Sequence, residues 1–379
     1  MTHIWLQYFP GWTLRILSFA IVSGLLSTAH VASAVDAEVS RLQAEAEEGF
    51  IPQEIDLAAA YFSGHGVAKD DKMAARWYRK AAESGDPEAE NEIGYFYQVG
   101  IGVPADPGRA LHWYQLAAAS GLVRAKVNIG VLYLWGIGVP KNETVASDFF
   151  RDAVKENDGA AATYLGDIYY FGLGSQKDEG EAERWYMKGF KLRDPVAAFN
   201  LGVLFTGNDN HPHDLPKAVG YLRQSAAAGY VPAMHALGLL LIKHPELAES
   251  LEEARTMLDT ASAAGSWKSS LALGVLARDG RGEAADPAVA YYHFQVAVMQ
   301  GGEPAKQLLV RDLQMLSAKL KPEQSAALAA NANTWFGQHQ LALAFVYRNG
   351  GDWKRFPASA RATSAAGVQA AQQTHFPPA

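Results

Sequence analysis

The amino-acid sequence predicts an all-α solenoid of about seven helix-turn-helix repeats of 36 residues, with a capping half-repeat at each end. Small residues recur every 36 residues at two positions of the repeat, which we call slots. One holds alanine or glycine from Ala58 to Gly274, and the other holds alanine from Ala74 to Ala290. A pair of aromatic or bulky apolar residues follows the second slot at the same step. Such a period is typical of helix-pair arrays, because one pair cannot bury its own apolar face and stacked copies share a core.

The first helix of each repeat is predicted from its cap and its apolar spacing. In the second copy Asp86 is a suitable N-cap and Pro87 suits the first helical position. Ile93 and Phe96 then fall at helical spacing. Gly94 lies in mid-helix, where glycine costs about 1 kcal/mol relative to alanine. Because six copies carry a glycine in this slot, we expect it to let a neighbouring helix pack closely.

The second helix begins after a glycine-rich turn such as "VGIGVPAD". In the second copy Asp106-Pro107 repeats the capping device, Trp113-Tyr114 supplies the bulky apolar face, and Gly121 ends the helix. The same stop slot holds glycine six times, and Asn157 and Arg193 fill two other positions. Asparagine tolerates the left-handed backbone that ends many helices, whereas arginine tolerates it less well.

The N-terminus is typical of a secretory signal peptide. Arg15 precedes an uncharged apolar run from Ile16 to Leu26, and the small residues Ala32 and Ala34 follow. We expect cleavage after Ala34 and a mature chain in the periplasm, and the alternative is an uncleaved signal anchor. The sequence contains no cysteine, which excludes a lipoprotein anchor and disulfide stabilisation. No other apolar run is long enough to span a membrane.

The repeat frame divides the chain into five segments. They are a signal peptide over residues 1–34, an N-terminal capping helix over 35–50, the repeat solenoid over 51–302, C-terminal capping helices over 303–336, and a mostly disordered tail over 337–379. The N-terminal cap is polar and lacks an aromatic pair, as expected of a terminal half-repeat. The tail is poor in bulky apolar residues, which favours disorder.

Composition and motifs exclude several classes of function. The formal charge of −7 and the absence of a basic stripe argue against nucleic-acid binding. No catalytic motif has a fitting context, so we assign no catalytic, cofactor-binding or metal-binding residue and expect no enzyme activity. His211 and His213 in "NDNHPHD" are metal-competent types, but Pro212 separates them in a loop, and a surface loop is the favoured interpretation.

The repeat resembles a known family. The mid-helix glycine, the "GxGV" loop, the pattern "A..WY.KAA..G" and the period of 36 are similar to the Sel1-like repeats, relatives of the tetratricopeptide repeats. The resemblance covers roughly Val35 to Trp335. It implies a right-handed superhelix whose concave face holds protein partners. The fifth copy has "TGNDNHPHDLP" and the sixth "IKHPELAESLEEA" in place of the usual loop, so we expect different shapes near His211 and His244.

The working surface is predicted from first-helix residues that stacking does not explain. Six such residues, polar or aromatic, are candidates for contact with a protein partner: Tyr95, Gln98, Asn128, Trp135, Tyr164 and Tyr170. The partner would lie in the periplasm or at the inner-membrane surface. The resemblance leaves open regulation of an envelope protein, such as a sensor kinase, and scaffolding of exopolysaccharide machinery. An alternative of another class is a cell-wall-acting enzyme or a small-ligand-binding protein.

Overall fold

A computed structural model describes residues 39–64, 66–207, 213–248, 251–281 and 284–346. Within these ranges the regular structure is entirely helical, and no helix there is both long and apolar enough to cross a membrane. The all-α prediction is confirmed. The expected signal peptide and residues 347–379 of the expected tail lie outside the described residues.

Seven helix pairs follow one another at the predicted period. After α1 (residues 39–47) come α2 (Ile51–Ser63) with α3 (Asp71–Glu83), α4 (Pro87–Val99) with α5 (Pro107–Ala119), α6 (Val123–Trp135) with α7 (Glu143–Lys155), α8 (Gly159–Phe171) with α9 (Glu179–Lys191), α10 (Pro195–Phe205) with α11 (Leu215–Ala227), α12 (Val231–Lys243) with α13 (Leu251–Ala263), and α14 (Trp267–Asp279) with α15 (Pro287–Ser317). A last helix, α16 (Pro322–Val346), runs past residue 336, where the sequence predicts the tail to begin.

The predicted caps form at both helices of a pair. The Asp86 carboxylate accepts a hydrogen bond from the Ala89 amide at 2.9 Å, and Asp106 accepts one from the Arg109 amide at 3.1 Å. Each bond satisfies one of the amides that the first turn leaves without a helical partner. The backbone amide of Asp106 also donates to the Tyr97 carbonyl at 2.8 Å, which fixes the turn between α4 and α5.

Residues in the stop slot adopt the left-handed backbone, except in the seventh copy, where the helix break lies one residue later. Asn157 and Arg193 take φ of 66° and 65° in the slot where other copies use glycine. In the seventh copy the stop slot holds Gly301, but the break falls at Gly302, with φ 61° and ψ −144° inside α15. The reason is Pro304, whose ring and missing amide disrupt the helix on its N-terminal side.

The described chain divides into two compact units, and each is described by itself. Of the described residues, those up to 129 together with 137–139 form the first unit, and residues 130–136 together with those from 140 to 346 form the second. In the first unit the Tyr114 ring lies over Gly94, where an added β-carbon would stand 2.8 Å from the ring. In the second unit Leu222 covers Gly202 in the same way, at 2.6 Å. The expectation that the glycine slot permits close packing is confirmed.

The second glycine of three "GxG" loops packs against the preceding copy. In the first unit Gly102 lies against the start of α3 at Asp71, and Gly138 lies against Pro107 at the start of α5. In the second unit a β-carbon at Gly174 would stand 2.5 Å from the Glu143 β-carbon. All three glycines have positive φ, so both the backbone conformation and the lack of space require glycine.

The two divergent loops lie in the second unit. In the fifth copy the His213 ring covers Gly207, whose φ is 84°, and residues 208–212, including His211, lie outside the described residues. In the sixth copy a short 3-10 helix spans Pro245–Leu247. Arg223 of α11 holds this loop in place by donating to Glu253 at 2.7 Å and to the Leu247 carbonyl at 3.3 Å.

Candidate functional site

Three of the six predicted partner residues lie in the first unit. Gln98, near the end of α4, accepts a hydrogen bond from the Tyr114 hydroxyl at 2.8 Å. Asn128 of α6 is 8% exposed and donates to the Asn91 side-chain oxygen at 2.7 Å. Tyr95 is half-buried. Asn128 therefore joins two first helices through a buried amide pair, whereas Tyr95 keeps part of its ring at the surface.

The other three residues, all aromatic, lie in the second unit. Tyr164 stacks on Phe150, with ring centres 4.9 Å apart and planes 10° from parallel. Tyr170 meets Phe171 edge to face at 4.9 Å, and the Lys177 ammonium lies 5.4 Å from its ring centre. Trp135 is half-buried. Each ring uses part of its surface for internal packing and leaves the remainder accessible, which suits an anchoring residue.

The six predicted residues do not include a polar cluster that lies in the second unit. The Asp167 carboxylate accepts hydrogen bonds from the Tyr186 hydroxyl at 2.7 Å and from the Asn200 amide at 3.0 Å. Burial raises the pKa of Asp167 from 3.8 to about 7. The sequence contains a signal for this cluster, since Asp167 directly follows Gly166, on which Tyr186 packs. The residue that follows the slot glycine therefore lies beside the hydroxyl of the tyrosine that packs on this glycine.

A serine–histidine pair in the second unit bears on the enzyme alternative. The His235 Nδ1 atom lies 2.9 Å from the Ser269 hydroxyl, a distance suitable for activating a nucleophile. However, Ser269 is 0% exposed, and burial lowers the pKa of His235 to about 4. The pair joins α12 to α14 inside the core, where no substrate can reach the hydroxyl. It therefore has a packing role.

The described residues contain no group of three or more side chains suited to hold a metal ion. In the loop that the sequence marks as metal-competent, Asp214 accepts a hydrogen bond from the Lys217 amide at 3.1 Å and caps α11. The Lys217 ammonium, 2.9 Å from the Asp214 carboxylate, holds the pKa of Asp214 below its ordinary value, and the backbone cap adds to this effect.

Comparison with known families decides what the repeats are. The family described as Sel1 repeat matches six segments that together cover more than half of the chain: residues 54–86, 87–122, 123–158, 159–192, 195–230 and 268–302. The chain belongs to the Sel1 repeat family. The sixth helix pair, α12 with α13, lies outside the matched segments but keeps the helix-pair structure of its Sel1 neighbours.

One solved structure agrees with this assignment, and two others are similar at lower scores. The chain is similar to a Sel1 repeat protein from Oxalobacter formigenes, with 28% identity, coverage of 66% of this chain and 99% of that chain, and a TM-score of 0.56. It is also similar to c5321, a protective antigen of uropathogenic Escherichia coli with an SLR fold (20% identity, coverage 89% and 86%, TM-score 0.41). A third match is the immunity protein Pa5087 from Pseudomonas aeruginosa (19% identity, coverage 65% and 83%, TM-score 0.38). No functional argument follows from the last two.

Membership of the family has a general functional meaning. Sel1 repeats mediate protein–protein interactions, and proteins of the family are typically non-enzymatic scaffolds. No curated protein matches the chain. The specific partner must therefore be argued from the side chains of this Sel1 repeat protein.

Proposed function

We propose that this Sel1 repeat protein is a periplasmic interaction module, acting as a scaffold or regulator of an envelope protein such as a sensor kinase or the exopolysaccharide machinery. The main observation behind this proposal is that neighbouring aromatic residues of one first helix differ in solvent exposure. Phe96 and Tyr97 of α4 are 1% and 4% exposed and pack in the core, whereas Tyr95 between them and Gly94 is half-buried. Tyr164 and Tyr170 are half-buried in the same manner in α8.

The partly exposed aromatic rings support a protein partner. Tyrosine and tryptophan dominate the energetics of protein interfaces, because a rigid ring buries a large area at low cost in conformational entropy. Tyr95 provides such a ring in the first unit, and Trp135, Tyr164 and Tyr170 provide three in the second. Gln98, half-buried on the same helix as Tyr95, supplies a polar group, whereas the Asn128 amide is engaged in its buried bond to Asn91. That the partner occupies a superhelical groove stays a prediction.

The proposed compartment rests on the sequence of the N-terminus. A basic residue, a short apolar run and the small residues at 32 and 34 favour export and cleavage after Ala34. The absence of cysteine agrees with a fold that holds by packing alone, and the buried ring contacts of each unit supply that packing. Amino-terminal sequencing of the native protein tests the compartment, with Val35 as the expected first residue.

Site-specific photo-crosslinking tests the partner surface. We would place the photoreactive analogue p-benzoylphenylalanine at Tyr95 in one variant and at Tyr164 in another. The matched controls carry it at Ala119 and Ala227, which are exposed at the same slot of two second helices. After irradiation of intact cells, the first pair should form covalent adducts with an envelope protein identified by mass spectrometry. Equal adducts at the two alanine positions, or none at the tyrosine positions of an exported protein, would contradict the proposal.

A further inference from the structure

The first repeat encloses a lysine ammonium group on three sides. The Lys80 ammonium lies 2.8 Å from the Glu54 carboxylate and donates to the Ala46 carbonyl at 2.8 Å. The Trp77 ring centre is 4.9 Å away. The Glu54 side chain is 1% exposed, whereas that of Lys80 is 42% exposed, so the acid is buried and the lysine side of the cage is open to solvent. Carboxylate, carbonyl and indole face are each suitable partners for a primary ammonium group.

The second repeat keeps this cage but lacks its lysine. One period of 36 residues takes Glu54, Ala46 and Trp77 to Glu90, Ala82 and Trp113, while the lysine slot becomes Leu116. The backbone is equivalent, since the Gly85 amide donates to Ala82 at 2.9 Å as the Gly49 amide donates to Ala46 at 3.2 Å. The second repeat therefore has the acid, the carbonyl and the tryptophan in the equivalent positions of the repeat, and no cation in the lysine slot.

Glu90 is a buried acid without a cationic partner in the part of the chain that the structure describes. It is 5% exposed and forms no ion pair there, whereas Glu54 pairs with Lys80 through one oxygen; the Oε2 atom has no hydrogen-bond partner in either glutamate. Burial and the nearby Asp86 charge raise the pKa of Glu90, while the exposed His112 beside Trp113 lowers it. Leu116 is 38% exposed, so part of its side chain is accessible to a partner.

The fourth repeat provides an independent view of the lysine slot. There Lys188 stands in the position of Lys80, and its ammonium lies 5.9 Å from the centre of the equivalent tryptophan, Trp185. The glutamate slot holds Ala162, so no acid at this slot directs the lysine. The slot therefore directs an amine toward the tryptophan face even without the carboxylate.

We propose that Glu90, the Ala82 carbonyl and Trp113 form a binding site for a lysine side chain of a protein partner, whose ammonium takes the place that Lys80 fills in the preceding repeat. The alkyl chain of that lysine lies along Leu116, which explains an exposed leucine in this slot. The net charge of −7 favours a basic partner surface. The site adds one partner contact to the proposed function and does not depend on the first-helix aromatic residues.

The test uses the full chain and a lysine probe, so that it requires no knowledge of the partner. The protein is labelled with carbon-13 at the glutamate carboxyl carbons, and the Glu90 resonance is identified by its loss in Glu90→Gln. Nα-acetyl-lysine methylamide is the probe, and its Nε-acetylated analogue is the neutral control. We expect the lysine probe to shift the Glu90 resonance and to lower the pKa of Glu90, and the acetylated analogue to do neither.

Two variants separate a specific site from general charge attraction. Leu116→Lys fills the slot from within, so the Glu90 pKa should fall and the response to the probe should be lost. Gln115→Lys adds the same charge at the exposed neighbouring position and should keep the response. The proposal is overturned by an unchanged Glu90 resonance at saturating probe, by an equal shift with the acetylated analogue, or by equal loss of response in both lysine variants. None of these outcomes bears on the photo-crosslinking result, so the two proposals fail independently.

Discussion

The Phe150 ring lies directly over the α-carbon of Gly130, and a β-carbon added to Gly130 would stand 2.5 Å from the Phe150 Cε1 atom. Phe150 is 0% exposed, so its ring has no free space into which it could move. The mid-helix glycine and the bulky residue of the second helix are therefore one packing unit. This relationship explains why both recur at the same period.

Gly130→Ala should destabilise the protein by about 1–3 kcal/mol, because overpacking in a close-packed core forces a shift of side chain or backbone. Gly220→Ala is the matched control, since Gly220 is also helical but has nothing within 4 Å of an added β-carbon. It should stabilise the helix by about 0.5–1 kcal/mol through the higher helix propensity of alanine. Thermal unfolding followed by circular dichroism measures both. Equal melting temperatures for the two variants would show that Phe150 does not constrain Gly130.

Arg193→Gly should raise the stability by about 1 kcal/mol, because arginine is held at φ 65°, a conformation that costs non-glycine residues energy. Arg193 is exposed, so the loss of its side chain removes little packing. Arg193→Ala removes the same charge but keeps a β-carbon in the left-handed backbone. Urea unfolding of both variants separates the causes, and a gain in Arg193→Ala equal to that of Arg193→Gly would assign the effect to charge instead of backbone strain.

Asp167→Asn should stabilise the protein at alkaline pH and have little effect in acid. The pKa of Asp167 is raised from 3.8 to about 7, so the stability that comes from the protonated carboxyl is complete below pH 3.8 and is lost as the pH rises through 7. Asparagine mimics the protonated form and still accepts a hydrogen bond from Tyr186. The expected gain at pH 8 is about 1–2 kcal/mol. Unfolding free energies at pH 4, 6 and 8 test this, and a gain that does not depend on pH would contradict it.

Asn128→Ala and Tyr95→Ala should affect different properties. Removal of the Asn128 amide leaves the buried Asn91 side-chain oxygen without its donor, which should cost about 1–3 kcal/mol of stability. Tyr95 is half-buried, so its truncation should cost less stability and instead weaken partner capture. Melting temperature and crosslinking yield from an unaltered position, such as Tyr164, report the two effects. If Asn128→Ala loses capture without losing stability, Asn128 contacts the partner directly.

Features of this molecule that recur in every repeat can be predicted from the sequence alone. Caps such as Asp86 and close-packed glycines such as Gly130 depend on local geometry that every copy repeats, so one alignment of the chain with itself predicts them. The shift of the helix break to Gly302 breaks the period, because Pro304 is specific to the last copy.

Side-chain partners that depend on two copies at once were harder to predict. Asn128 was selected as a surface residue, but its amide is bonded to Asn91 of the preceding first helix. Asp167 is absent from the six predicted residues, although Tyr186 and Asn200 both donate hydrogen bonds to its carboxylate. Such contacts depend on the distance between adjacent first helices, and the repeat period of the sequence does not determine this distance.

The packing of Gly174 on the start of α7 has a consequence for how such arrays change during evolution. In each joint between two copies a glycine packs on the backbone or the β-carbon of the first residue of a helix, so the glycine is required but the helix residue can vary. The helix residue on which the glycine packs is Asp71, Pro107 or Glu143, depending on the copy. Unequal recombination between copies can therefore lengthen or shorten the chain by whole repeats, and each new junction is one that the protein already contains.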